Sequence, residues 1–392
     1  MINVDNQSLT SASRKQFDHI VIGGGITGAA TTYYLSQSGA DVALLEQFDL
    51  NTQASGRNAG GLHGQIQFQP FAQLGVEWAK SFLPALSFLA DSLRIWSTLS
   101  SDLGTDLETS NNGGLMVAET ITDMRLLESK VRLENSIGIP SRMLDRAELL
   151  AQAPYISPKM SGAAFCPIEG KANPLLTTPA FAGKAREAGA TILTGIKVFN
   201  IKKEQDGFRI ATSDGDYISK KVVITSNAGL SKLTRPFGIA LPISDEPIQV
   251  SVTEQVEKFI KYLIYFTTEK LTLKQAQSGS LLIGGGWPAK IKQDGTHVLN
   301  QESLRSNLRV ALKVVPSIAE VKLIRTWIGV GNETPDHRPI IDEIPGANGA
   351  FVGIFPAMGF SAGPLLGKTL AELVINKSTD RDLSEFRMDR FS

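Results

Sequence analysis

FDHIVIGGGITGAATTYYLSQSGADVALLEQ, residues 17–47, is the stretch that decides the fold. Ile20, Val21 and Ile22 form a short β-branched apolar run, the pattern of a buried strand. Gly23, Gly25 and Gly28 follow in G-x-G-x-x-G spacing. Ile26, Ala29, Ala30 and Tyr33 then recur at helical spacing, and Gly39 ends that helix. Residues 41–45 form a second strand with Glu46 at its end and Gln47 beside it. Strand, glycine turn, helix, strand and terminal acid predict a dinucleotide cradle. The first glycine allows the tight turn, the second lets a pyrophosphate approach, and the third lets the helix pack on the sheet. Ile26 and Thr27 open the helix, where bare N–H groups and the positive dipole end favour phosphate. Glu46 is placed to accept hydrogen bonds from ribose hydroxyls. This unit serves NAD and FAD alike.

The second strand leads into SGRNAGGLHGQIQ, residues 55–67. Glycine gives up side-chain packing for close backbone approach and positive φ. The composition of Ser55, Arg57, Asn58, Ala59, Gly60, Gly61 and Leu62 suits a loop that hugs the ring end of a large flat cofactor. Further on, residues 121–150 have helical spacing and mixed charge, and residues 178–188 read as a helix closed by Gly189. Residues 190–210, with Val198 as a cofactor-binding candidate, and 222–225 read as strands. They lead to Ser226-Asn227-Ala228-Gly229, small residues that allow a second close approach. Residues 248–322 are strand-rich, and 324–346 and 355–374 supply loops, a strand and a last helix. This order implies one domain assembled from distant pieces, with a strand-rich domain inserted between them. The expected division is 17–105, 162–240 and 324–392 for the first domain, and 106–161 and 241–323 for the second. Residues 1–16 are expected to be a flexible tail.

Composition narrows the function. The chain has 392 residues, with 39 Lys+Arg against 39 Asp+Glu, so no global field favours nucleic acid or an anionic membrane. One cysteine, Cys166, excludes an internal disulfide framework, and four scattered histidines make no metal centre. No apolar run is long enough to span a bilayer. The opening MINVDNQSLTSASRKQ is polar, without the apolar core of a signal peptide, and the expected location is cytoplasmic.

The fingerprint, SGRNAGGLHG, the Asn-Ala-Gly after a strand, RTWIG…TPDHRPIID and MGFSAGP…GKTLAEL together resemble the D-amino acid oxidase/glycine oxidase/sarcosine oxidase superfamily of FAD enzymes. The likeness covers nearly the whole chain from Phe17. NNGGLMVAET, GAAFCPIEGKANP and LTLKQAQSGSLLIGGGW are more narrowly similar to the β subunits of heteromeric opine oxidases and of sarcosine oxidases. The resemblance implies an α/β fold: a Rossmann-like FAD-binding domain of the glutathione-reductase type with an inserted antiparallel-sheet substrate domain. It implies oxidation of a C–N bond in an amino acid or secondary amine, with hydride passing to flavin N5 and the imine hydrolysing afterwards. Heteromeric members pass electrons to a partner subunit. The alternatives are an FAD-dependent dehydrogenase of a hydroxy acid and a non-catalytic electron-transfer subunit.

The resemblance also implies further cofactor contacts: Trp327, Gly329 and the helix start at Met358, Gly359, Phe360 and Ser361. The places of the covalent cysteine and covalent histidine of some relatives fall here near Gly329 and near Asn173 and Pro174, so non-covalent FAD is expected. The place of a carboxylate-gripping arginine falls near Gly331, which argues against a simple glycine- or D-alanine-type oxidase. His63, Lys274 and Thr272 are the catalytic candidates. His63 either points to the substrate side of the ring or is a structural histidine bound to backbone. Thr272 and Lys274 share a strand face, with Lys274 either a carboxylate anchor or a solvated lysine. Cys166 reads as a small buried hydrophobe. Gly284–Gly286 reads as a turn near Trp287, Asp336, His337 and Arg338 as a structural turn, and Arg325 as paired within the framework.

Overall fold

The computed structural model describes residues 15–391. Residues 1–14 of the expected tail lie outside them, and Gln16 belongs instead to the first strand. The fingerprint folds as its spacing predicts. Strand Gln16–Ile22 leads through the glycine turn into helix Ile26–Gln37 and then strand Val42–Leu45. Gly23 has φ of 107°, and a Cβ on Gly28 would stand 1.9 Å from the Gly23 carbonyl oxygen. No side chain fits there without moving the backbone.

The first sheet has eight strands. Its centre is parallel, in the order Ala350–Ile354, Gly215–Ile224, Gln16–Ile22, Val42–Leu45, Thr191–Leu193. Ile340–Glu343 adds an antiparallel edge, and the strands Val198–Glu204 and Gly207–Thr212 fold back antiparallel on Gly215–Ile224. Central strands read as unbroken apolar runs because both faces are covered. Helices Ile26–Gln37 and Gly359–Asn376 pack so closely that a Cβ on Gly363 or Gly367 would meet Ile26 at 2.6 Å or Ala30 at 2.5 Å. A long helix, Phe68–Trp96, was not foreseen from sequence. It is broken at Gly75 and contains Pro84, and its Phe71, Phe82, Leu86 and Leu89 join the core of the first sheet.

The second sheet also has eight strands, in the order Leu323–Glu333, Ser244–Gln255, Ser280–Pro288, Thr272–Gln275, Leu263–Phe266, Gly114–Ala118, Gly162–Cys166, Arg142–Asp145. It is antiparallel except where Leu263–Phe266 runs parallel to Gly114–Ala118. Two strands expected with the first sheet belong here. Gly162–Cys166 pairs with Gly114–Ala118, and Leu323–Glu333 pairs with Ser244–Gln255. Residues 121–150 are not one helix: the break at Gly138-Ile139-Pro140 leads to the strand Arg142–Asp145 before helix Arg146–Gln152, which Asp145 and Glu148 open with a capping box. Gly284–Gly286 is no turn but lies inside strand Ser280–Pro288. Gly285 crosses so near Leu271 that a Cβ would stand 2.7 Å from its backbone.

Candidate active site

The cradle is built from two helix starts. Gly25, the N-cap of helix Ile26–Gln37, offers no side-chain cap, and Ser55 Oγ accepts from the Ile26 N–H at 2.9 Å. Met358, the N-cap of helix Gly359–Asn376, also lacks a side-chain cap, and a Cβ on Gly359 would meet nothing within 4 Å. Apart from the Ile26 N–H that Ser55 takes, the N–H groups at these two helix starts have no side-chain cap among the described residues, and they fit the phosphates and the polar ring edge of a dinucleotide. Glu46 stands at the end of its strand, where Oε2 accepts from Gly24 N–H at 2.6 Å and Oε1 from Phe48 N–H at 2.8 Å. Gln47 is exposed beside it. Val198 begins its strand two residues after Ile196, whose N–H donates to the Glu46 carbonyl at 2.8 Å. Asn227 and Gly229 form a short 3-10 turn beside Ser226, against which the Gly23 turn is packed. Asn227 Nδ2 donates to the Val330 carbonyl, and its Oδ1 accepts from Asn332. The side chain of Ala228 lies outside the described residues.

The glycine loop is held by bolts that sequence reading assigned to the cofactor. Asn58 spends its amide inside the loop: Oδ1 accepts from Gly60 N–H at 2.7 Å and Nδ2 donates to the Ser55 carbonyl at 2.6 Å. Arg57 Nε donates to the Thr52 carbonyl at 2.7 Å, and the Arg57 carbonyl accepts from Trp327 Nε1 at 2.7 Å. Gly329 lies directly over Arg57. Gly60, with φ of 76°, sits against the Ala172 carbonyl, 2.2 Å from where a Cβ would be. Ala59 lines the cavity below, and Leu62 is fully buried. The hydroxyl of Ser361 is fully buried and fully engaged: it accepts from His63 N–H at 2.9 Å and donates to the Gly61 carbonyl at 3.2 Å. Phe360 packs on Trp96 with ring centroids 5.0 Å apart. Asn58 and Ser361 therefore shape the loop with their side chains.

Between this loop and the second sheet lies a cavity of 1010 Å³. Its roof includes one cross-strand row: Lys274 pairs with Leu282, Leu282 with Val252, and Val252 with Arg325. Lys274 is only 2% exposed, so it is not a solvated strand lysine. Burial, with Lys171 nearby, brings its ammonium down to about 7. Arg325, expected to pair within the framework, is exposed on this row and forms no ion pair among the described residues. Thr272 shares the Lys274 face, but its register partners are Tyr265 and Gly284 and it does not line the cavity.

His63 meets Lys274 across Gly61. A Cβ on Gly61 would stand 2.8 Å from His63 Nε2 and 3.5 Å from Lys274 Nζ. The imidazole is partly exposed, yet burial and the Lys274 ammonium push it down to about 3, so it is neutral. His63 Nδ1 lies 2.7 Å from Tyr265 Oη, which donates to Glu169 Oε1 at 2.9 Å. Glu169 also accepts from Gly64 N–H and from Gln65 Nε2, each at 2.7 Å. Gln65 Oε1 in turn accepts from Lys130, which is paired with Glu134 at 2.6 Å. Lys130, Glu134 and Glu169 are all fully buried. Burial raises Glu169 to about 7, opposed by its three hydrogen-bond donors. Gly114 makes the room, because a Cβ there would stand 1.8 Å from Glu169 Oε2.

Sequence reading missed Glu169, Tyr265 and Gln65. The one available signal was Glu169 between two strand-like runs in GAAFCPIEGKANP. Cys166 is buried, and burial pushes its thiol up, as a small core residue requires. Asp336 binds Arg338 at 2.9 Å and Arg390 at 2.8 Å, a structural ion cluster. Among the described residues no three His, Cys, Asp or Glu side chains gather as a metal site, and no helix is long and apolar enough to cross a membrane.

A glycine-turned dinucleotide cradle facing a cavity under a second sheet defines a dinucleotide-dependent oxidoreductase with its substrate cavity beside the cofactor. The chain belongs to the FAD dependent oxidoreductase family, whose model matches residues 18–373. It is 27% identical to glycine oxidase of Geobacillus kaustophilus over 96% of this chain and 97% of that protein. The β polypeptide of sarcosine oxidase from an Arthrobacter species is also 27% identical, over 96% and 92%. One of the subunits of opine oxidase from Rhizobium meliloti is 24% identical over 96% and 98%. The crystal structure of glycine oxidase from Geobacillus kaustophilus has the same fold, with a TM-score of 0.84 at 23% identity, covering 96% of this chain and 99% of that one. The cofactor is FAD, and the uncapped helix starts and glycine approaches described above fit it.

Proposed function

We propose that this chain binds FAD non-covalently and oxidises the C–N bond of a carboxylate-bearing amino acid or secondary amine. The first sheet carries the cofactor and the second roofs the substrate. When bound, FAD would supply the acceptor for the hydride on the carbon attached to nitrogen, and water would then hydrolyse the imine. The observation that carries the reading is Lys274, a buried cation in the roof of the cavity, beside Gly61 and the neutral His63. A buried ammonium without an anion is costly, and a substrate carboxylate would relieve that cost. Cys166 lies in the core and no cysteine or histidine occupies positions 329, 173 or 174, which supports non-covalent attachment. A second cavity of 380 Å³ shares Glu108, Lys171, Ala276 and Gln277 with the first and adds Lys258 and Lys261, so that three lysines stand against one acid along its wall. That cationic line favours an opine-like substrate with a second acidic group over sarcosine, proline or a simple D-amino acid. The sarcosine and opine oxidase relatives are named as subunits, which supports partner chains that take the electrons.

The test is the visible spectrum of the FAD-loaded protein under anaerobic conditions, before and after addition of opines, sarcosine, proline and D-amino acids. Bleaching by dicarboxylic secondary amines, with a Lys274→Met variant raising KM about tenfold or more, is the expected result. An intact flavin spectrum with every amine and bleaching by a hydroxy acid would replace the reading.

A further inference from the structure

The hydrogen-bond chain behind His63 has a direction set by its far end. Lys130 has only donors, so Gln65 must turn Oε1 towards it and Nε2 towards Glu169. Gly64 N–H is also a fixed donor, and it reaches the other oxygen of Glu169. With Glu169 ionised, as it is above its value of about 7, both carboxylate oxygens act as acceptors. Tyr265 has one hydroxyl proton, and it points to Glu169 Oε1. The tyrosine oxygen is then left to accept from His63 Nδ1–H. Nε2 is consequently the unprotonated nitrogen. It has no protein partner among the described residues and lies on the Gly61 side, towards Lys274.

We propose that Glu169, acting through Tyr265, fixes His63 as the Nδ1–H tautomer, so that its Nε2 is a bare acceptor for the N–H of the bound amine. This rests on the amine-oxidation reading for the identity of the ligand, but the tautomer itself does not. His63 is not among the residues that line the 1010 Å³ cavity; the substrate amine would sit on the Gly61 side, between His63 and Lys274, with Tyr265 and Glu169 positioning the imidazole. The arrangement gives a specificity rule. A neutral primary or secondary amine keeps an N–H to donate while its lone pair is free, and a neutral tertiary amine has none. Lys274 gathers the carboxylate on the same side, so acid and amine are held at two points. The groups facing the pair are few: Lys274 towards His63, with Lys171 behind it, and Gln65, Lys130, Glu134 and Cys166 around Glu169.

The experiment is 15N NMR of the FAD-loaded protein labelled at histidine, with His63 assigned by its loss in a His63→Gln variant. At about pH 8, above the value near 7 of Glu169, the expected signature is a protonated Nδ1 and a bare Nε2. Tyr265→Phe keeps the ring and removes only the link, and should abolish that preference while the protein stays folded and coloured. The same variant should lower kcat/KM for a secondary amine about tenfold, the scale of one lost hydrogen bond. A protonated Nε2 in the unaltered protein, or a tautomer unchanged in Tyr265→Phe, would overturn the proposal. If no amine is oxidised but the tautomer behaves as stated, the failure lies with the substrate reading.

Discussion

Replacing Ser361 by alanine deletes one oxygen that joins two distant parts of the chain. Its hydroxyl accepts from His63 N–H at 2.9 Å and donates to the Gly61 carbonyl at 3.2 Å, across about 300 residues of sequence. The side chain is 0% exposed, so water cannot take its place without opening the core. One buried and one part-buried backbone group then lose their partner, at about 1–3 kcal/mol each, which gives about 2–6 kcal/mol of lost stability in total. Ser92→Ala is the control. The Ser92 hydroxyl donates to the Ser361 carbonyl at 2.6 Å, but that carbonyl also keeps Trp96 Nε1 at 2.9 Å. No acceptor is orphaned, so its loss should cost only about 1 kcal/mol. Urea denaturation of both variants, followed by tryptophan fluorescence at one temperature, measures the difference. The loosened loop should also bind FAD more weakly in Ser361→Ala than in Ser92→Ala. Equal costs for the two variants, or a loss below about 0.5 kcal/mol for Ser361→Ala, would refute the view that this hydroxyl clamps the loop.

Gly28→Ala should fold poorly or lose FAD, because its Cβ would stand 1.9 Å from the Gly23 carbonyl oxygen; flavin absorbance retained after gel filtration checks this. Glu169 gives a pH signature. Its folded value of about 7 lies above the ordinary 4.5, so the protonated form stabilises the fold, fully below about pH 4.5, and this contribution is lost as pH rises through about 7. The stability of the unaltered protein relative to Glu169→Gln should therefore fall by on the order of 3 kcal/mol between about pH 5 and pH 8, measured by urea midpoints at each pH.

The parts legible in sequence were those whose physics is local. The glycine turn, its helix and the acid after the second strand interact within a few dozen residues, and spacing alone expresses them. Lys274 was singled out because strand alternation puts it on one face with Thr272. What that face looks at was not legible, since solvent and a buried cavity leave the same alternation. Asn58 and Ser361 have the polar character of cofactor contacts, yet their hydrogen bonds go to the loop itself. The long helix Phe68–Trp96, with an internal proline and a glycine break, carries signals that argue against a helix and is held by its buried face.

Residue order alone dictates the cofactor cradle, the α/β class and the absence of any disulfide framework, because each depends on residue type at short spacing. Packing in three dimensions is what brings Gly162–Cys166 and Leu323–Glu333 into the second sheet and stands Glu169 and Tyr265 behind His63. Glu169 is 105 residues from Gly64 and Tyr265 is 202 from His63. Contacts at such separation follow from how whole sheets pack, and no periodicity in one chain records them.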